Sequence, residues 1–196
     1  ITLPSISGGT SQTYVLFIAT EDRKKISSVS GGSLTWTKSS DQCSHNDTGG
    51  SIWTAQGSPA SSFQVSINLS QSKQVVAVLT RYTGVGSFSG AAGENTRGPN
   101  GNCGSAPQNS APQLTLTSAV NGSVHVLAVG VPDTTVTSAS ASYTALGNAS
   151  LSATRIWAYA KPMATAGADT FGATLSAADN WAVTGLVLEP AVSGPD

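Results

Sequence analysis

Two histidines, two cysteines and ten carboxylates are the side chains from which this 196-residue chain could assemble a reactive site. His45 sits in the run Asp41-Gln42-Cys43-Ser44-His45-Asn46-Asp47, between two acids, but the run lacks the regular ligand spacing of a calcium loop. His125 interrupts an apolar run and reads as a structural residue. No G-x-S-x-G elbow presents a nucleophile, no C-x-x-C or Cys/His spacing suits zinc, and no glycine-rich phosphate cradle is present. Glycoside hydrolysis needs two carboxylates flanking a cleft, whereas most acids here fall in turn-like segments or at the chain end. The run Glu21-Asp22-Arg23-Lys24-Lys25 reads as a solvated hairpin tip. The expectation is therefore a protein that is not an enzyme and holds no metal or cofactor.

Chemistry of other kinds is better represented. Cys43 and Cys103 stand one in each of two segments, 41–50 and 84–111, that read as irregular loops, so a disulfide pinning those loops is expected. Four N-x-[S/T] sequons, at Asn46, Asn68, Asn121 and Asn148, fall in turns, at a strand end or on an outward-facing position, so all four are candidates for glycosylation. Trp53 and Trp157 each follow an isoleucine in similar surroundings and read as core. Trp36 and Trp181 lack such a match and are the candidates for a platform on which a sugar ring stacks.

Composition narrows the class. Only 10% of residues are charged and the formal net charge is -1, which excludes the basic stripe of a nucleic-acid binder and a polybasic membrane surface. Ser and Thr make up about a quarter of the chain, and 39% is apolar, too much for a disordered protein. No apolar run is long enough for membrane insertion. The first residue is Ile1, so the chain is read as processed or as a fragment, with any signal peptide out of view. A β-rich protein, extracellular or on a cell surface, is expected.

Alternating runs bounded by Gly, Pro, Asn and Ser place strands near 2–7, 13–20, 26–30, 33–39, 51–57, 62–69 and 74–82. A second series follows near 112–117, 123–131, 135–146, 153–161, 170–175 and 181–189. The two series look like copies: an offset of 110 lays Tyr14 to Ala19 on Val124 to Val129 and sets His125 at the position of Val15, while Ile52-Trp53 meets Ile156-Trp157. The expected fold is all-β, an antiparallel β-sandwich, jelly-roll-like and built from two duplicated halves. Residues 1–196 form one domain, with copies at 1–83 and 112–190 joined by a Gly/Ser/Asn/Pro-rich loop over 84–111.

The run from Ile26 to Thr37, with Ser51-Ile52-Trp53-Thr54-Ala55 and Val75-Val76-Ala77-Val78, resembles β-sandwich modules of prokaryotic secreted and phage surface proteins. That resemblance rests on a pattern S-S-V-x-x-G-G-x-L-T-W-T … I-W-x-A and implies an extracellular module without catalytic residues. Several strands are apolar on both faces, among them 14–19, 75–79 and 124–129, and so call for cover beyond a single sandwich. Ile1, Leu3 and Ile6 stud an amino-terminal arm that ends at Gly8-Gly9, free to pair in its own sheet or to complete a neighbour's. The sequence thus points to a non-enzymatic extracellular structural protein, a filament or sheath subunit that self-associates into a homopolymer by strand exchange. A carbohydrate-binding or adhesion module, with glycans as partners, and a virion decoration protein are the alternatives.

Overall fold

The computed structural model describes residues 1–23 and 26–191. Lys24 and Lys25 of the charged turn, and Asp196, lie outside them. Among the described residues there are strands and turns but no helix, as a chain poor in Glu and Lys and rich in Thr, Val and Ser should give. The strands are β1 (Gln12–Glu21), β2 (Ile26–Ser30), β3 (Thr37–Ser44), β4 (Thr48–Gly57), β5 (Ser66–Leu69), β6 (Val75–Thr83), β7 (Val85–Asn95) and β8 (Gly98–Pro99). They continue as β9 (Gln113–Ser118), β10 (Ser123–Val131), β11 (Val136–Ala139), β12 (Thr144–Leu151), β13 (Thr154–Met163), β14 (Gly167–Leu175) and β15 (Ala182–Pro190).

Among the described residues the strand pairings are antiparallel and make four sheets. One large sheet runs β3-β4-β1-β6, and a second runs β12-β13-β10-β15-β7-β8. Two small sheets, β2-β5 and β11-β14-β9, complete the set. Three apolar layers hold them together. Tyr14, Leu16 and Ile18 of β1 face Val65 and Ile67 beside and within β5. Val15, Phe17 and Ala19, on the opposite side of the same strand, face Val126, Leu186 and Leu188 of the second large sheet. That sheet's other face, with Leu127, Val129 and Val183, packs on Leu114, Leu116 and Phe171 of the outer small sheet. The two large sheets are thus inner layers, and each is capped by a small one.

This layering explains the strands that are apolar on both faces. Gln12 to Thr20 are buried without a break because both sides of β1 are covered by the same chain. The cover that the sequence seemed to require from a neighbouring subunit is supplied internally.

Several expected boundaries are corrected. The segment 84–111 is not a plain loop: it contains the eleven-residue β7, which pairs with β15 from Asn95↔Ala182 to Val85↔Pro190. The segment 41–50 is a hairpin, with β3 and β4 joined across residues 45–47. The run 135–146 divides between β11 and β12. Leu16 is opposite Trp53 and Val129 is opposite Trp157, so an alignment that pairs the two tryptophans would set Leu16 on Val129, three residues from the Val126 that an offset of 110 gives.

Candidate functional site

The amino-terminal arm lies along the free edge of β5 and the residues before it. The Ile1 amino group donates to the Ile67 carbonyl at 2.6 Å, and the Ile67 amide donates back to Ile1 at 2.7 Å. The Leu3 amide reaches the Val65 carbonyl, and Ile6 exchanges both bonds with Phe63, all at 2.9–3.0 Å. Between Leu3 and Ile6 the register shifts by one residue across Pro4-Ser5, so the arm makes isolated bridges, Thr2↔Ser66 and Ile6↔Phe63, and not a continuous ladder. Leu3 and Ile6 are half-buried against the first core layer, while Ile1 is 51% exposed. At the arm's end Arg81 donates to the carbonyls of Ser7 and Gly8, and Gly8 approaches Pro59 so closely that a Cβ would sit 2.2 Å from its carbonyl oxygen. Among Ile1, Leu3 and Ile6, the structure brings Leu3 and Ile6 together on one slot and places the arm in cis.

The edge of the other small sheet is filled differently. There β9 pairs with β14 without interruption from Gln113↔Gly172 to Ser118↔Gly167, and Leu114 and Leu116 are fully buried. The arm is therefore the looser of two similarly placed edge strands.

Cys43 on β3 and Cys103, which follows β8, form the expected disulfide, with Cα atoms 5.1 Å apart. Its setting was not visible in the sequence. The wholly buried Asn95, at the end of β7, points its amide nitrogen at the Cys43, Gly101 and Asn102 carbonyls at 2.6–3.2 Å. Only a strand at β7 brings Asn95 there, so a reading that took 84–111 as a loop could not find it. Beside the disulfide an open cleft of about 730 Å³ is lined by Ile18, Thr20, Arg23, Lys38, Asp41 and Ser51. Lys38 and Asp41 pair with one another at its rim.

Trp36 and Trp181 do not form a platform. Trp36 is packed in the first core layer and donates its indole N–H to the Gly31 carbonyl. Trp181 is buried in the last layer and donates to Asn109 at 2.8 Å. Ring faces enclosed in this way cannot stack on a sugar. The sequon asparagines Asn46, Asn68, Asn121 and Asn148 are all exposed. Asn148 lies within the edge strand β12, not after a strand end, and Asn68 faces outward and bonds Ser28. His45 sits in the β3–β4 turn at φ 49°, 3.4 Å from Asp47, and among the described residues no group of three or more metal-ligating side chains is gathered. No protein-family model matches this chain, and no curated protein or solved structure matches it either.

Proposed function

We propose that this chain is a non-enzymatic extracellular structural protein whose copies join through the amino-terminal arm. The observation that carries the reading is the arm's seat: a strand interrupted by a register shift on an open sheet edge, where the second half has an uninterrupted one. Leaving the slot forfeits the half-burial of Leu3 and Ile6, each worth less than the ~1.5–3 kcal/mol of full burial, and a few edge hydrogen bonds. An identical arm from a neighbour would restore the same contacts, so exchange is nearly neutral in contact energy. Because each copy gives its arm to the next, the contact is head-to-tail and builds an open filament unless a ring closes.

The disulfide supports an oxidising compartment, and the four exposed sequons leave room for sugar on the outside of such an assembly. The apolar strand faces no longer support it, since the chain covers them itself. We also read the halves as two copies of one jelly-roll-like unit, because β3-β4-β1-β6 and β12-β13-β10-β15 share one order, and each half caps its large sheet with a small one. Electron microscopy and sedimentation of the full chain beside a chain lacking residues 1–7 test the assembly. Filaments from the first and monomers from the second are expected; equal polymerisation of both refutes strand exchange.

A further inference from the structure

One end of the second sandwich encloses a group of side chains that the proposed assembly does not use. His125 and Lys161 are directly opposite one another on β10 and β13, so they share the face that looks toward the outer small sheet. Asp169 projects into the same space from β14, on the face that carries Phe171. Lys161 Nζ lies 2.5 Å from Asp169 Oδ1, with both side chains only about one-fifth exposed, at 20% and 23%. The Tyr143 ring stands 5.6 Å from Nζ, and Tyr143 and Tyr159 both pack on Phe171 at 5.1 Å, so the pair has an aromatic wall. His125 is completely buried, and neither of its ring nitrogens has a hydrogen-bond partner. Asp169 Oδ2 likewise makes no bond of normal geometry, although the Tyr143 hydroxyl is near enough to feel its charge.

A surface ion pair such as Lys38–Asp41, whose side chains are 41% and 56% exposed, has water to solvate it and nothing more to gain. The Lys161–Asp169 pair is held by strands on two different sheets, mostly out of water, on the face that also carries an imidazole with no hydrogen-bond partner. We propose that Lys161 and Asp169 condense into an intramolecular isopeptide bond, with His125 as the proton carrier. One proton passes from the Lys161 ammonium to the Asp169 carboxylate, leaving an amine and an acid. The Nζ lone pair then attacks Cγ; as the C–N bond forms, His125 takes a second proton from nitrogen and delivers it to the departing hydroxyl. The C–O bond breaks and one water leaves. Ammonium plus carboxylate has become amide plus water, with no change of oxidation state and no co-reactant.

Amide formation from a free acid and amine has little driving force in water. Well-oriented intramolecular reactions reach effective concentrations of roughly 10⁵–10⁸ M, which lowers the barrier, and the product removes two charges from an interior that solvates them poorly. The bond would tie β13 of the large sheet to β14 of the small one and fix that end of the sandwich. With Trp53 matched to Trp157, the first half has Gln12 and Gly57 at the positions of His125 and Lys161, so the chemistry belongs to the second half alone.

The mass of the intact, denatured, disulfide-bonded chain reads the bond directly. The expected mass is lower by one water than the sequence with its disulfide requires. Fragment ions should be missing between Lys161 and Asp169, and Lys161 should resist acylation. Asp169→Ala should restore the lost water, and His125→Leu should accumulate unbonded chain. A wild-type mass with no water missing overturns the proposal, as does a water loss with Lys161 still open to acylation, which would mark a succinimide. A water loss that survives in Asp169→Ala also overturns it.

Discussion

Phe17→Ala asks whether the two halves are one folding unit. Phe17 is wholly buried on the central strand of the first large sheet, on the face that meets the second large sheet. Removing the ring takes away its transfer energy and leaves a cavity between two sheets held apart by their other side chains, a loss of about 3–5 kcal/mol. Against a total stability of roughly 5–15 kcal/mol, this is a large share. The consequence that matters lies on the far side of the molecule. If the shared layer makes the halves cooperative, β9 and β14, two layers away from Phe17, must lose the same free energy as β1 and β4. Hydrogen exchange followed by mass spectrometry reads both regions at once. In the variant, the slowest amides of both should exchange at least about a hundredfold faster, the factor that ~3 kcal/mol implies. The urea transition should remain single, with an unchanged slope. Unchanged protection in β9 and β14, beside faster exchange in β1 and β4, would show that the halves open independently and would refute the reasoning.

Replacing both cysteines, Cys43→Ser with Cys103→Ser, frees a closure of 60 residues and should cost about 4 kcal/mol in the chain-entropy model, measured as a lower urea midpoint; a loss under about 1 kcal/mol would contradict it. Acid should destabilise the fold through His125. Burial pushes this imidazole below its ordinary value, so the folded state binds fewer protons than the unfolded chain. The stability it contributes is complete above about pH 6.5 and is lost as pH falls toward the folded value. The urea midpoint should therefore drop on acidification more in the wild type than in His125→Gln, and parallel curves would contradict this.

Much of the fold could be read from alternation alone. The strands β2 and β10 fall where the sequence places them, and β1 within a residue or two, because their apolar residues and flanking turns are unambiguous. What was misread follows from physics that a single strand does not record. β7 is rich in Gly, Ser and Ala and becomes a strand because β15 offers it an edge, with a register shift between Gly185 and Val187. The doubly apolar strands spoke of two covered faces but not of what covers them, and the second half of the same chain was as good an answer as another subunit. Trp36 and Trp181 differ from Trp53 and Trp157 in sequence context, yet all four lie in or against a core layer, since context does not report burial. The Lys161–Asp169 contact was invisible because it depends on how a small sheet sits on a large one, not on any spacing along a strand.

Trapping the arm on a neighbouring chain tests the strand-exchange account most directly. Thr2 and Ser66 bridge the arm to β5, with their hydroxyls 3.3 Å apart, so cysteines at these two positions stand within reach of a disulfide. One chain would carry only Thr2→Cys and the other only Ser66→Cys; the two would be mixed, assembled and oxidised. Strand exchange predicts a covalent dimer of unlike chains on a non-reducing gel, absent when either substitution is omitted. Assembled material that yields no such dimer, while a single chain carrying both substitutions closes on itself, would contradict the account.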